Sequence, residues 1–256
     1  RDTDRSRGLG DVYKRQGYNS SIIQVDYERK EHMIEFVNVS KEYNHGVKAL
    51  DNINIKINKG EFVFLVGPSG SGKSTFLKLM IREENATSGK VIIDGSNVNE
   101  LKEKEVPYLR RKIGFVFQDF RLLYDRTVAE NIEFALRVIE SSEREIKTQK
   151  KAVLEMVGLT GKEDAYPNQL SGGEQQRVAL ARAMATKPPI IIADEPTGNL
   201  DPTTAGEIFK TLNEINARGT TILVVTHAKD IVDRMGKRVI ALDHGKIVKD
   251  DMKGGY

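Results

Sequence analysis

The string Gly67-Pro68-Ser69-Gly70-Ser71-Gly72-Lys73-Ser74 constrains the fold of this chain more than any other feature. A five-residue apolar run, Phe62 to Val66, leads into it, and helix-forming sequence through Met80 leads out. A buried strand that turns through glycines into a helix points successive backbone N–H groups at one place. The helix N-terminus adds its partial positive charge there. Such a loop suits phosphate oxygens, with Lys73 reaching the outer phosphates of a nucleotide and the Ser74 hydroxyl suited to Mg²⁺. Gly67 through Ser74, with Thr75 next in the helix, are therefore the candidate phosphate cradle. An ordinary glycine turn ahead of a helix is the alternative, but by composition the pattern arises by chance in roughly one such chain in a hundred. A guanine reader of the form Asn-Lys-x-Asp is missing downstream; the nearest string, Asn58-Lys59-Gly60-Glu61, lies upstream and ends in Glu. ATP is the expected nucleotide rather than GTP.

From Met33 onward, strand and helix patterns alternate. Ile34, Phe36, Val37 and Val39 mark a short strand, and Ile53, Ile55 and Ile57 alternate as a half-buried antiparallel strand should. Further strands are expected at Val91–Ile93, 113–117, 190–193, 222–225 and 239–242, with helices between several of them. Buried strands separated by helices imply a parallel sheet covered on both faces. The stretch from 127 to 186 reads as helix after helix, with Val128, Ile132, Ala135 and Leu136 at helical spacing, and so looks inserted. The 256 residues suffice for one large α/β domain. A net charge of +3, from 40 Lys and Arg against 37 Asp and Glu, argues against a dedicated nucleic-acid binder. Without cysteine, thiolate metal sites and cysteine nucleophiles are excluded. No apolar run is long enough to span a bilayer or to form a signal peptide, which favours the cytoplasm. Residues 1–32 are polar, with seven basic and six acidic side chains and no period, and read as a loosely ordered extension or an artefact of the assigned start.

Two further strings carry chemistry. Ile190-Ile191-Ile192-Ala193-Asp194-Glu195 is a buried strand ending in adjacent carboxylates, at the sheet edge where ligands bind. Asp194 there could hold Mg²⁺ through water, and Glu195, on the opposite side of the strand, could polarise an attacking water. Leu170-Ser171-Gly172-Gly173-Glu174-Gln175-Gln176 is the most specific string in the chain. Ser171 and Glu174 have the spacing of a capping box. Two glycines in the first turn cost helix stability and make sense where something approaches the backbone closely.

On these strings the chain resembles the ABC-type ATPases, whose Leu-Ser-Gly-Gly-Gln/Glu motif matches Leu170 to Glu174. The resemblance implies an α/β P-loop NTPase fold: an ABC cassette with a mostly parallel core sheet, an antiparallel β subdomain and an inserted helical subdomain. Residues 33–117 and 187–256 would form the ATP-binding core with its β subdomain, and 118–186 the helical part. It further implies that Gln118 touches Mg²⁺ and the attacking water, and that His227 contacts the γ-phosphate. Tyr43 would stack on adenine, and Asn199-Leu200-Asp201 would form the loop that follows the acidic strand. Two copies would dimerise head to tail on ATP, so that Ser171, Gly172, Gly173 and Glu174 of one face the nucleotide of the other. Lacking membrane spans, such a subunit would work with a separate integral membrane partner, against the inner face of the plasma membrane.

Gly198-Asn199-Leu200-Asp201 departs from the commoner Ser-Ala-Leu-Asp form and is similar to the branch containing lipoprotein-release, macrolide-export and cell-division ATPases. Soluble ABC ATPases of DNA repair or translation usually carry long coiled-coil insertions or two cassettes, which 256 residues do not hold. A nucleotide-dependent scaffold with negligible turnover stays open at this point, although Glu195 and His227 both match the hydrolytic pattern.

Overall fold

A computed structural model describes residues 32–254 of the chain, other than His45 and Asn199. The polar extension read from residues 1–32 thus lies outside the described residues except for His32, which opens the first strand. In chain order the elements are β1 (His32–Tyr43), β2 (Val47–Asn58), β3 (Phe62–Val66), α1 (Lys73–Met80), β4 (Ser88–Ile93), β5 (Ser96–Asn97), α2 (Val106–Arg111) and β6 (Ile113–Val116). Then follow α3 (Val128–Val138), α4 (Glu143–Met156), α5 (Gly172–Ala185), β7 (Ile190–Asp194), α6 (Pro202–Ala217), β8 (Thr221–Val225), α7 (Lys229–Met235), β9 (Arg238–Asp243) and β10 (Lys246–Asp251).

The strands make two sheets. An antiparallel one has the order β2-β1-β4-β5, and the larger has the order β10-β9-β3-β8-β7-β6. In the larger sheet β9, β3, β8, β7 and β6 run parallel, and only the β9–β10 pair is antiparallel. All residues of β3 and β8 are buried, because helices cover one face and the second sheet and α1 cover the other. Side-chain alternation divides each strand between two cores. Phe62, Phe64 and Val66 join Ile191, Val224 and the apolar faces of α3 to α7, whereas Val63 and Leu65 join Ile192, Leu223, Phe76 of α1 and Phe36 of β1. The helices between β6 and β7 therefore share one continuous core with a face of the sheet.

Helix ends follow from local sequence. Reciprocal capping boxes open α3 (Thr127 with Glu130), α4 (Ser142 with Glu145) and α5 (Ser171 with Glu174). The sequence reading ends the sixth strand at Phe117, where pairing stops at Val116, and has no strand after 242. β10 escapes it because five of its six residues are polar or exposed and only Ile247 faces the core.

Candidate active site

Four parallel strands deliver four motifs to one edge of the sheet. β3 ends at the phosphate loop, β7 at Asp194 and Glu195, β8 one residue before Thr226-His227, and β6 two residues before Gln118. The register holds these ends level: Leu65 pairs with Val225, Asp194 with Val225, and Val116 with Ala193. That is the carboxyl edge, where open parallel sheets bind ligands.

The loop between β3 and α1 cannot carry side chains at its two key glycines. Gly67 has φ 147°, and a Cβ there would fall 2.1 Å from Leu242 O and 2.7 Å from Ser71 Oγ. Gly72 precedes α1 at φ 108°, and its Cβ would lie 2.5 Å from Ala49 O. Strands β9 and β2 thus press the loop from behind, leaving its outer side for a ligand. Ser71 N donates to Pro68 O, and Gly245 N donates to Ser71 O at 3.0 Å. The Ser71 hydroxyl is buried without a protein partner. Lys73 Nζ arches over the loop, donating to Gly67 O at 2.8 Å and Pro68 O at 2.9 Å. Burial holds the Lys73 ammonium below its ordinary pKa, against the opposing pull of Glu195 and Asp194. Ser74 is exposed in the first turn of α1, and the buried Thr75 has its hydroxyl 3.4 Å from that of Tyr43.

The carboxylates sit opposite. Burial raises the pKa of Asp194, against the fields of Lys73 and Arg121. Burial likewise raises that of Glu195, with His227 and Lys73 pulling it down and Asp194 adding to the rise. Glu195 leaves strand geometry at φ 46° while its N–H donates to Val225 O at 2.9 Å. The bend aims the side chain at His227, whose backbone N–H donates to Glu195 Oε2 at 3.3 Å. His227 Nε2 lies 3.1 Å from Glu195 Oε1, a close contact without the direction of a good hydrogen bond. A Cβ at Gly198 would lie 3.9 Å from both Gln118 Nε2 and Glu195 Cβ, so Gln118 reaches the same corner. Lys73, Asp194, Glu195, His227 and Gln118 are brought together.

Ser171 to Glu174 stand apart from this group; among the described residues, no hydrogen bond or ion pair joins them to residues 67–75. Glu174 Oε2 accepts from Ser171 N at 2.9 Å and Ser171 Oγ at 3.0 Å, and Lys162 Nζ lies 3.4 Å from Oε1. The backbone hydrogen bond from Ser171 holds the Glu174 pKa down. Capping accounts for Ser171 and Glu174, as their spacing allows. The glycines differ: a Cβ at Gly173 would meet Thr204 Cγ2 at 2.5 Å, whereas one at Gly172 meets only Leu200 at an ordinary 3.8 Å. What approaches Gly173 is α6 of the same chain. Asp201 is the N-cap of that helix, its Oδ1 accepting from Thr203 N and Thr204 N at 3.0 and 3.1 Å. Asn199 lies outside the described residues.

Sequence reading missed two side chains that set the path from Gln118 onward. Asn131, fully buried in α3, accepts from Leu123 N and donates to the carbonyls of Leu123, Arg126 and Thr127. Arg182 of α5 donates to Arg121 O at 2.6 Å and Phe120 O at 2.9 Å. Each is a polar residue on an otherwise apolar helix face, which is the signal that could have found them. Beside them lies an apolar groove of about 560 Å³, lined by Arg110, Phe115, Phe117, Leu123, Phe134 and Arg182 among others.

The donor set suits the groups that the sequence suggests. Glycine-opened backbone, a buried hydroxyl and a partly desolvated Lys73 match a triphosphate. The Ser74 hydroxyl, the Gln118 amide and the Asp194 carboxylate are hard oxygen donors of the kind Mg²⁺ takes alongside phosphate and water. Comparisons with known proteins point to a nucleotide. The ABC transporter family matches residues 50–198. The cell division ATP-binding protein FtsE of Bacillus subtilis is 54% identical over 224 residues, which cover 88% of this chain and 98% of that one. FtsE of Escherichia coli is 44% identical over 215 residues, covering 84% and 97%. The dimeric, post-hydrolysis structure of the ATP-binding cassette MJ0796 bound to ADP and Pi superimposes with a TM-score of 0.79 at 41% identity, covering 88% of this chain and 100% of that one.

Proposed function

The chain belongs to the ABC transporter family, and we propose that it is the ATP-binding and ATP-hydrolysing subunit of a cell-division complex, working with an FtsX-like integral membrane subunit. The chemistry rests above all on the convergence of four strand ends at one edge. The cell-division assignment rests on 44–54% identity to FtsE proteins over most of the chain. No helix among the described residues is long and apolar enough to cross a membrane. The proposed place of action is the inner face of the plasma membrane, beside the membrane subunit and supplied with ATP.

Backbone N–H groups of the loop, other than Pro68, which has none, and the Lys73 ammonium receive the β- and γ-phosphates, and the Tyr43 ring, next to Thr75, stacks on adenine. Ser74, Asp194 and Gln118 hold Mg²⁺, directly or through water; the ion, when bound, supplies charge neutralisation on the phosphate oxygens. Glu195 orients a water and takes its proton as the water oxygen bonds to the γ-phosphorus and the bond to the bridging oxygen breaks, giving ADP and phosphate. A pKa raised by burial makes Glu195 a stronger base near neutral pH. His227 holds Glu195 in place and faces the γ-phosphate. The site is completed by a second copy, which offers Ser171, Gly172, Gly173 and Glu174 at the start of its α5, with Asp201 beside them.

The groove next to Gln118 receives the membrane subunit. Its lining includes Arg110, Arg111, Arg121 and Arg182 and no carboxylate, so the entering segment is apolar with acidic side chains. Leu123 is half-buried on its wall. Leu123→Asp is expected to fold and bind ATP like the parent chain yet fail to pull down the membrane subunit. Normal capture would place the docking surface elsewhere. Phosphate release by the purified complex tests hydrolysis itself, and a rate no higher than buffer would leave a nucleotide-dependent scaffold.

A further inference from the structure

Immediately after Gln118 the backbone takes an uncommon course. Phe120 and Arg121 are consecutive non-glycine residues in the left-handed region, at φ 60° and 46°. Such residues are strained and persist only where the surroundings over-determine them. The loop's own bonds are few: Phe120 N donates to Phe117 O at 3.2 Å and Arg121 N to Asp119 O at 2.7 Å. Arg121 also pairs with Asp119 at 3.3 Å and lies over the Phe117 ring, Phe120 packs on the core, and Asn131 holds Leu123 further on. From outside the loop, the Arg182 guanidinium donates to the carbonyls of the two left-handed residues themselves.

Arg182 is costly to place there. Burial pushes its pKa down, and among the described residues no carboxylate lies within ion-pair distance of it. A partly desolvated cation is tolerated where its planar fork meets fixed acceptors, and the two carbonyls are those acceptors. Its position on the chain matters as much. Arg182 and Ser171 belong to one helix, eleven residues apart, a rise of about 16 Å. One end of that helix faces the neighbouring copy, and its body grips the segment carrying Gln118.

We infer that Arg182 is a positioning residue: it sets the Gln118 loop and ties that loop to the helix whose N-terminus faces the partner's nucleotide. The inference rests on the roles proposed above for Gln118 and Ser171. When α5 shifts as the dimer closes, the carbonyls of Phe120 and Arg121 shift with it, and Gln118, which already reaches the Glu195 corner, is adjusted against its own nucleotide at that moment. Closure at one site thereby prepares the other.

The test uses the full chain and its complex with the membrane subunit. Arg182→Met keeps the aliphatic stem and removes the donors; Arg182→Lys keeps donors without the fork. Arg182→Met is expected to bind ATP within about twofold of the parent, because the phosphate cradle is untouched. Its kcat falls by about ten- to a hundredfold, the scale set by misplacing a catalytic group. Hydrogen exchange at the Phe120 and Arg121 amides rises by at least about tenfold. Arg182→Lys is expected to recover most of the rate and the protection. Parental kcat in Arg182→Met, or unchanged exchange at these amides, would overturn the inference, as would a loss of ATP affinity matching the loss of rate. If Arg182→Met does not fold, Arg182→Gln, with one donor group and no charge, is expected to fall below Arg182→Lys in both rate and protection, and a parental rate in it overturns the inference equally. Gln118→Ala separates the two levels: if it turns over normally, the role of Gln118 fails while the exchange result still reports whether Arg182 holds the loop.

Discussion

Glu195 shows at the scale of one residue how a site differs from its sequence. Adjacent carboxylates at the end of a buried strand are legible, because few other strand ends combine burial with charge. Alternation along a strand then assigns them to opposite sides. The actual direction of Glu195 comes instead from a left-handed φ and a bond to Val225 O, and no local pattern encodes a partner thirty residues away. The bend places a desolvated carboxylate against His227, with a consequence for both rate and stability. Glu195→Gln is expected to keep ATP affinity, slow hydrolysis by at least roughly a hundredfold, and accumulate an ATP-bound dimer in size-exclusion chromatography. The raised folded-state pKa means that the carboxyl favours folding only while protonated, and that this contribution is lost as pH rises through the folded value. At neutral pH the Gln variant should therefore melt above the parent, and the gap should close on acidification toward the ordinary carboxylate range. Calorimetry at several pH values would read both, and a variant melting below the parent at neutral pH would contradict the burial cost.

Between elements, the contact that explains Gly173 is α5 against α6. Capping boxes made the start of α5 readable as a helix, and the glycines after Ser171 were readable as a close approach. What approaches was not readable, since Thr204 and Gly173 meet only once β7 and its loop have brought α6 alongside. With a Cβ at residue 173 only 2.5 Å from Thr204 Cγ2, Gly173→Ala is expected to cost about 1–3 kcal/mol in urea unfolding. Thr204→Ser in the same chain removes the clashing methyl and should restore most of the loss, whereas Gly172→Ala should cost well under half as much. A Gly173→Ala penalty unrelieved by Thr204→Ser would point to the backbone rather than the contact. The same reasoning explains why Arg182 and Asn131 were passed over: their value lies in carbonyls on another segment, and sequence displays side chains, not where carbonyls gather. β10 was missed for a different reason, being a polar edge strand with a single apolar anchor.

At the level of the whole molecule, one copy carries both proposed halves of the nucleotide site but does not bring them together, so two defects should fail differently. Lys73→Ala is expected to weaken ATP binding by the single chain by at least about tenfold. Ser171→Arg should bind ATP normally but neither dimerise nor turn over, as light scattering beside nucleotide titration would report. Equal loss of affinity in both variants would contradict a site shared between copies. The order of the sheet has a separate consequence for how the protein is made. β3, which carries the phosphate loop, is flanked on one side by β8 and on the other by β9, both from the last stretch of the chain. Until β8 has left the ribosome β3 has no strand to pair with, and its second edge stays open until β9 follows. During synthesis at about 5–20 residues per second, that leaves an apolar segment waiting roughly 8–30 s for its neighbours. Long-range parallel pairing of this kind folds slowly and is exposed to aggregation. A nascent chain stalled before β8 would accordingly engage chaperones and hold no ATP, and the first moment at which nucleotide can speed its folding comes only after β8 and β9 have been made.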